Sequence, residues 1–493
     1  MQHINFGVIA AFAVYLSAMM LIGVYFYNKT KNMSEYILGG RRLGAWVTSM
    51  SAEASDMSGW MLMGLPGYAY LAGLEAGWIA LGLTIGTWAN WQFIARRLRK
   101  YTQIANDSLT LPDFFQNRFH DHSQILRIIS AVFILIFFLI YTSSGFVASG
   151  KLFNTVFGLP YTTSLIIGAF VVVFYTFLGG FMAVCWTDFI QGIMMFFAVL
   201  LVPITAMQFT GGAEATYAVL YSLNTEFFNP FTSMDGKPLT LIAIVSLMAW
   251  GLGYFGQPHI LVRFMAVHSS SELKKATRIA MTWVILSLTA AVAIGMIGKV
   301  FLTQTLEGSA TETVFLVMTD KLFSSFVAGL ILSAVLAAIM STASSQLLVT
   351  ASAVSQDFYK ALIRKNASQS ELVWVSRITV IIASMIAVIL GLNPNNLILE
   401  MVSYAWAGFG SAFGPALVMS LFWKRMTRNG ALAGIVVGGM TVLIWKQFAW
   451  FGLYEIVPGF FLSLLAIYIV SLMDKPPAKE IIDDFEKVNI SNI

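Results

Sequence analysis

Two stretches of sequence decide the fold: Ser51-Ala-Glu-Ala-Ser-Asp-Met-Ser-Gly-Trp60 and Trp250-Gly-Leu-Gly-Tyr-Phe-Gly-Gln-Pro258. Each lies inside a long apolar run, yet each contains glycine, proline or small polar residues. In a bilayer core an unpaired backbone group is costly unless it lines a cavity, so these stretches predict helices that unwind around a buried site. The alternative is that the small residues only allow close packing of unbroken helices.

The composition around these stretches is that of a membrane protein. Of the 493 residues, 58% are hydrophobic and 11% are charged, and the mean hydropathy is +0.77. A water-soluble fold could not bury that much apolar surface. No polar gap of domain size interrupts the apolar runs, so we predict a single all-α membrane domain over residues 1–493.

Apolar runs long enough to cross a bilayer occur about thirteen times. They are 6–27, 45–72, 75–95, 125–149, 161–179, 186–209, 239–258, 277–303, 322–354, 373–391, 396–423, 430–450 and 454–473. The run at 6–27 has neither a basic start nor a small-residue cleavage site, so we interpret it as a retained helix rather than a signal peptide.

The positive charges predict how these spans are oriented. Of the 29 lysines and arginines, 24 lie at alternate loops or in the C-terminal tail, and only five lie on the other side. Because positive residues concentrate on the cytoplasmic side, we expect an external N-terminus and a cytoplasmic C-terminus. Membrane orientation also explains the net charge of +5 without nucleic-acid binding.

The two interrupted stretches lie five spans apart, which predicts two inverted repeats whose first helices are both unwound. Such repeats are typical of secondary transporters. The expected organisation is a peripheral helix at 6–27, repeats at 45–209 and 239–423, two peripheral helices within 430–473, and a cytoplasmic tail at 474–493.

Other kinds of chemistry have little support in the sequence. The only cysteine, Cys185, excludes an intramolecular disulfide framework, and the five histidines lack metal-ligand spacing. We therefore expect no transition metal. A membrane-embedded enzyme would need a nucleophile and a base, and no such pair is evident at membrane depth. A nutrient sensor would need a fused signalling kinase, and the short C-terminal tail is too small for one.

The interrupted stretches and four further motifs resemble the sodium/solute symporter family over nearly the whole chain. The motifs are Tyr36-Ile-Leu-Gly-Gly-Arg41, Ser55-Asp-Met-Ser-Gly-Trp60, Met63-Gly-Leu-Pro-Gly67, Trp250-Gly-Leu-Gly-Tyr-Phe-Gly-Gln-Pro-His259, Leu336-Ala-Ala-Ile-Met-Ser-Thr342 and Val402-Ser-Tyr-Ala-Trp-Ala-Gly-Phe-Gly410. The resemblance implies a LeuT-type 5+5 inverted-repeat core. It also implies sodium-coupled import of L-proline across a bacterial cell membrane, without an obligate protein partner.

The resemblance further implies a sodium site between the first break and the span at 322–354. Its ligands would be the carbonyls of Ala54, Met57 and Ala338 and the hydroxyls of Ser341 and Thr342, with Asp56 and Arg41 in support. A hard cation prefers oxygen ligands. Positions 338, 341 and 342 share one helical face, although such hydroxyls can also serve ordinary contacts between helices.

For the solute, the resemblance implies seven binding residues. They are Ser58, Gly59, Trp60, Tyr141, Trp250, Tyr254 and Pro258. A half-helix N-terminus can bind the carboxylate of proline, and aromatic faces can contact its ring and attract its ammonium. The alternative cargo is another amino acid, a monocarboxylate, pantothenate or a sugar.

Two features leave the number and identity of the coupled cations open. The resemblance implies a possible second sodium site at Asp188, Ser341, Ser344 and Ser345, and the alternative is a polar contact between two helices. Glu53 adds a carboxylate one turn before Asp56, where the resemblance predicts a small or amide side chain. We therefore keep proton coupling as an alternative to sodium.

Overall fold

The computed structural model describes residues 5–27, 33–178 and 180–490. Within those ranges the chain is helical, and β-structure is limited to isolated bridges. The last residue of the predicted span 161–179, and residues 1–4 and 491–493 of the predicted termini, lie outside the described residues. The prediction of an all-α membrane fold is confirmed.

The α-helices of the first half are α1 Phe6–Tyr27, α2 Met33–Leu38, α3 Ala45–Asp56, α4 Leu65–Ala72, α5 Gly77–Ala89, α6 Arg96–Ile104, α7 Leu111–Arg118, α8 Ile125–Phe157, α9 Tyr161–Leu178, α10 Phe181–Phe209 and α11 Ala213–Leu223. Those of the second half are α12 Leu241–Met248, α13 Pro258–Ala266, α14 Leu273–Phe301, α15 Val314–Leu322, α16 Ser325–Ser352, α17 Gln369–Leu390, α18 Ile398–Phe422, α19 Arg428–Phe448, α20 Ile456–Met473 and α21 Lys479–Ile490.

Shorter helical segments of other pitch connect some of these helices. Turns of 3₁₀ type occupy Gly39–Arg41, Gly73–Ala76, Thr225–Phe228, Ala249–Gly256, Gly308–Thr313 and Trp450–Gly452. Wider π-helical turns occupy Trp60–Gly64, Asn90–Ala95 and Ala353–Ile363.

Each of the thirteen predicted spans corresponds to helical structure. Within the described ranges, ten helical segments are long and apolar enough to cross a membrane, and a bent pair makes an eleventh. The count is lower than thirteen for two reasons. The apolar helix Tyr161–Phe177 is shorter than the others, and the helical segments between Trp60 and Ile104 follow one another closely enough to count once.

The first interrupted stretch is a real break in a helix. Helix α3 ends at Asp56, and Met57 takes non-helical dihedral angles of φ −84° and ψ 80°. The amide of Ser58 donates to the Asp56 carbonyl at 3.0 Å, which makes a tight turn before helical structure resumes. Aspartate and serine side chains compete with the backbone for hydrogen bonds, which favours a helix end at this place.

The second interrupted stretch breaks in a different way from the prediction. Residues Ala249–Gly256 tighten into a 3₁₀ helix, and only Gln257 is extended before Pro258 starts α13. The two halves bend by 45°. Proline suits the first turn of a helix because it lacks the N–H that would be unpaired there. Unwinding is thus confined to one residue.

Close packing explains one of the glycines in this segment. A Cβ atom on Gly253 would lie 1.9 Å from Nε1 of Trp406, a residue of α18. Glycine at this position therefore lets the second broken helix approach α18 closely, which brings the Trp406 indole to the centre of the bundle.

Candidate functional site

The first group of predicted ligands meets where α3 ends beside the unbroken helix α16. The Ser341 hydroxyl donates to the Ala54 carbonyl at 2.7 Å and approaches the Ala338 carbonyl at 3.1 Å. The Thr342 hydroxyl also points to the Ala54 carbonyl, at 3.4 Å. Met57 is the first residue beyond the helix end, so its carbonyl leaves the helical direction. The arrangement offers several oxygen atoms to one small cation.

Asp56 lies directly beside these oxygens and is surrounded by aromatic donors. The Tyr254 hydroxyl donates to Oδ2 of Asp56 at 2.6 Å. The Asp56 carbonyl accepts the Trp60 indole N–H at 3.0 Å and the Tyr141 hydroxyl at 3.4 Å. Among the described residues, Oδ1 of Asp56 has no hydrogen-bond partner. Asp56 therefore contacts three aromatic side chains, two residues after Ala54 in the chain.

The aromatic cluster continues toward one end of the bundle. The rings of Trp60 and Trp250 have centroids 6.1 Å apart, and those of Trp250 and Tyr454 are 5.8 Å apart. The Trp406 indole donates to the Trp250 carbonyl at 2.7 Å and packs edge-on against Tyr254 at 5.0 Å. We did not predict a role for Trp406 or Tyr454. Trp406 lies within the motif 402–410, so a signal for it was present in the sequence.

The remaining predicted substrate residues lie at the two breaks. The Ser58 hydroxyl accepts the amide of Trp60 at 3.4 Å, and Gly59 packs against Ala148 of α8. Pro258 lies at the other break, where it faces a different cavity from Trp250. The structure therefore brings Trp60, Trp250 and their aromatic neighbours together and separates Pro258 from them.

Two cavities approach the aromatic cluster from opposite ends. One has a volume of about 290 Å³ and is lined by Trp250, Tyr454 and Glu312, among others. The other is only about 20 Å³ and is lined by Pro258 and Arg263. Between them, Trp60, Tyr141 and Tyr254 are each only 1% exposed. These three side chains are thus closed off from solvent, and the wider approach to them is on the side of Trp250.

Of the four predicted ligands of a second sodium ion, only Asp188 and Ser345 share a partner, and that partner is Arg263. The Ser341 hydroxyl is used at Ala54, and the Ser344 hydroxyl donates back to the Ser341 carbonyl at 3.2 Å. Oδ2 of Asp188 instead accepts a hydrogen bond from Arg263, whose guanidinium also donates to Ser345. The sequence reasoning missed Arg263, although an arginine inside the apolar segment 258–266 is a signal by itself.

Arg41 lies apart from the sodium candidates, at the start of α3. Its guanidinium donates to the carbonyls of Met265 at 2.6 Å and Ser108 at 2.9 Å, and pairs with Asp107 at 2.9 Å. Burial lowers the pKa of Arg41, and the Asp107 carboxylate opposes that shift. Arg41 therefore connects the start of the first broken helix to the end of the second.

Glu53 is buried one turn before the break. The Trp91 indole donates to its Oε1 at 3.0 Å, and among the described residues Oε2 has no hydrogen-bond partner. Glu53 and Asp56 are therefore one turn apart on α3, and the group that donates a hydrogen bond to Glu53 is neutral.

Two broken helices that present backbone oxygens and aromatic side chains to one buried centre define a secondary transporter of the inverted-repeat class. Residues 36–438 match the model of the Sodium:solute symporter family. The chain belongs to that family, and it is a transporter and not an enzyme.

Full-length relatives agree with the family assignment. The chain is 50% identical over 480 residues to the Sodium/proline symporter of Escherichia coli K12, covering 96% of this chain and 95% of that protein. It is also 50% identical over 471 residues to the High-affinity proline transporter PutP of Bacillus subtilis 168, covering 95% and 98%.

The same fold occurs in a solved structure of a Na+-coupled sialic acid symporter in a substrate-bound outward-open state. The TM-score is 0.79 at 20% sequence identity, with 97% of this chain and 100% of that chain covered. The predictions of the family and of the LeuT-type fold are confirmed.

Proposed function

We propose that this protein is a sodium-coupled symporter that imports L-proline by alternating access. The observation that carries the proposal is the meeting of two hydroxyls of α16 with the Ala54 carbonyl at the broken end of α3. The family is one of sodium-coupled carriers, and relatives that are half identical over the full length are named for proline.

Sodium would bind between the two repeats. The Ser341 and Thr342 hydroxyls donate to Ala54 now, and on binding they would turn their lone pairs toward the cation together with the Ala54, Met57 and Ala338 carbonyls. Because α3 and α16 each supply ligands, the ion favours the arrangement in which both helices are in place. A ligand with unequal affinity for two conformations shifts the balance between them, which is the basis of coupling.

Proline would bind on the other side of Asp56. Its apolar ring would pack against the Trp60 and Trp250 rings, which are tilted by 38° to each other, and its secondary ammonium would be attracted to aromatic faces and to the hydroxyl of Tyr141. Its carboxylate would lie at the start of the helical structure that resumes at Gly59, because backbone N–H groups at a helix N-terminus favour a negative charge. Because Asp56 would lie between the two sites, binding of one ligand can change the affinity for the other.

The predicted orientation sets which side of the membrane each cavity faces, and the sodium gradient and membrane potential drive transport inward. With an external N-terminus, the cavity beside Trp250 opens outward and the small cavity beside Pro258 leads to the cytoplasm. A membrane potential of 100 mV contributes about 2.3 kcal/mol for each charge moved inward, so a bacterial membrane supports accumulation.

A second candidate is coupling to protons, and the buried Glu53 favours it. Its Oε2 has no partner among the described residues, and an ionised carboxylate buried in that state would be costly. Glu53 can therefore carry a proton beside the sodium ligands.

The decisive experiment uses purified protein in liposomes and labelled L-proline. Uptake should require an inward sodium gradient at constant pH, and it should stop when potassium replaces sodium. Excess unlabelled proline should compete, whereas a monocarboxylate, pantothenate or glucose should not. Uptake that persists without sodium but follows a pH gradient would favour the proton mechanism, and failure of proline to compete would reject the proposed cargo.

A further inference from the structure

Asp188 is a carboxylate at the centre of the bundle, and its partner is a fixed positive charge. Oδ2 of Asp188 lies 3.0 Å from Nη2 of Arg263 and accepts the Ser51 hydroxyl at 2.7 Å. The side chains of Asp188 and Arg263 are 0% and 1% exposed. A buried ion pair with additional hydrogen bonds satisfies the charge of both groups.

All three nitrogens of the Arg263 guanidinium are used. Nη1 donates to the His259 carbonyl at 2.6 Å, Nε donates to the Ser51 hydroxyl at 3.1 Å, and Nη2 is shared between Asp188 and Ser345. The carbon Cζ also lies 5.4 Å from the centre of the Phe181 ring. Arginine does not lose its proton inside proteins, so this charge is permanent.

The guanidinium joins the helices that a cation at this place would join. Asp188 is on α10, Ser345 is on α16, Ser51 is on α3, and Arg263 itself is on α13. These four helices include the inner halves of both broken helices. A sodium ion bound to the same carboxylate would stand beside a like charge in a low-dielectric interior, and that repulsion opposes its binding.

We propose that Arg263 is a tethered cation that takes the place of a second sodium ion at Asp188, so that the carrier binds one sodium ion per cycle. This inference rests on the proposed sodium coupling and specifies its stoichiometry. Because the guanidinium is part of α13, it stabilises the contact between the repeats in every cycle without being released to the cytoplasm. The remaining oxygen, Oδ1 of Asp188, has no hydrogen-bond partner among the described residues, and it is the atom that a second sodium would use.

The test counts sodium ions by equilibrium binding of radioactive sodium to purified protein. Wild-type protein should bind one ion per chain. Arg263→Gln removes the charge and exposes Asp188, so it should bind two ions, with a steeper sodium dependence. The double variant Arg263→Gln/Asp188→Asn removes both charges and should return to one ion, and Arg263→Lys, which keeps the charge, should also bind one.

Three results would overturn the proposal: two ions bound by the wild type, one ion bound by folded Arg263→Gln, or loss of an ion in the double variant relative to the wild type. If Arg263→Gln does not fold because Asp188 is left without a counter-charge, the wild type and the double variant still decide. Proline uptake under a sodium gradient is measured in parallel. Its absence in the wild type would reject the proposed function, whereas the sodium count alone decides the role of Arg263.

Discussion

At the scale of single residues, the direction of a hydroxyl distinguishes a contact between two helices from a contact within one helix. Ser341 and Ser333 are both fully buried serines on α16. Ser333 donates to the Gly329 carbonyl of its own helix at 2.8 Å, whereas Ser341 reaches across to Ala54. In the sequence alone, both residues are serines within an apolar run. Only Ser341 can hold α16 against the broken end of α3.

We expect Ser341→Ala to raise the sodium concentration that gives half-maximal proline uptake. A hydrogen bond or ligand contact to a charged group is worth about 1.5–3 kcal/mol, so the increase should be roughly tenfold or more. The measurement is uptake in proteoliposomes over a range of sodium concentrations. Ser333→Ala is the matched control and should change this value less than about twofold; equal effects of the two variants would remove Ser341 from the sodium site.

Glu53 provides a second test at this scale. Glutamine keeps an oxygen for the Trp91 indole and removes the ability to carry a proton, so Glu53→Gln should preserve the fold and the sodium-driven uptake within about twofold. Uptake is measured between pH 5.5 and 8.5 at constant sodium. A loss of uptake, or of its pH dependence, in the variant alone would indicate that Glu53 carries a coupled proton.

At the scale of elements, the two broken helices are joined where α3 begins and α13 ends. The Leu43 amide donates to the Ala266 carbonyl at 3.2 Å, and the His268 amide donates to the Leu43 carbonyl at 2.9 Å. Arg41 adds its bond to the Met265 carbonyl. The start of α3 and the end of α13 therefore form one unit, which would move together when the carrier changes conformation.

The break in the first helix depends on close contact with α8. A Cβ atom on Gly59 would lie 2.7 Å from the Cβ of Ala148, which is too close for two carbon atoms. We expect Gly59→Ala to push the helices apart and to lower the maximal uptake rate at least several-fold, because a packed core accommodates added volume poorly. Transport and thermal stability of the purified variant measure the effect.

Removal of the opposing methyl group supplies the control for that prediction. Ala148→Gly in the same chain should restore most of the transport lost in Gly59→Ala, although glycine inside α8 costs about 1 kcal/mol of helix stability. If the double variant transports no better than Gly59→Ala, the loss comes from the altered backbone of the break and not from the contact with α8.

At the scale of the whole molecule, one buried ion pair holds distant parts of the chain together at the wall of the larger cavity. Nζ of Lys151 on α8 is 2.6 Å from the carboxylate of Glu312. The same carboxylate accepts the amides of Ile398 at 2.9 Å and Leu399 at 3.1 Å at the start of α18. A carboxylate at a helix N-terminus is favourable, so Glu312 holds its 3₁₀ turn against the start of α18, in the wall of the cavity that Trp250 also lines.

We expect Glu312→Gln to favour the conformation that is open on this side. Breaking one partner of a buried pair costs about 3–5 kcal/mol, and here the cost falls on the closed state. The only cysteine is buried, so a Cys185→Ser background allows a single label at Ser403→Cys beside the larger cavity. Its rate of modification by a membrane-impermeant maleimide should rise several-fold. Glu400→Gln, an exposed carboxylate on the same cavity, should leave the rate unchanged.

The docking of the C-terminal helix was not predicted from the sequence. Residues 474–493 read only as a polar tail, but α21 docks by burying Phe485 against Tyr101, with the guanidinium of Arg97 4.9 Å from the Phe485 ring. Apolar residues at Ile481, Ile482, Phe485 and Val488 recur at helical spacing, a signal that our prediction did not use. The surface against which α21 packs belongs to α6, so only the tertiary structure shows the docking.

The sequence alone determined the class of the molecule, the approximate positions of thirteen spans and the two breaks, because hydropathy, glycine and proline act locally along the chain. The hydroxyls of Ser341 and Thr342 were indicated by the resemblance of the sequence motifs to the sodium/solute symporter family, and helical spacing places them on one face. Tertiary structure decided which distant groups meet. It turned Ser344 toward its own helix, gave Asp188 the guanidinium of Arg263 as a partner, and limited the second break to Gln257. A buried charge is stabilised by the opposite charge that packing places beside it. For Asp188, the identity of that partner depends on the packing of four helices, α3, α10, α13 and α16.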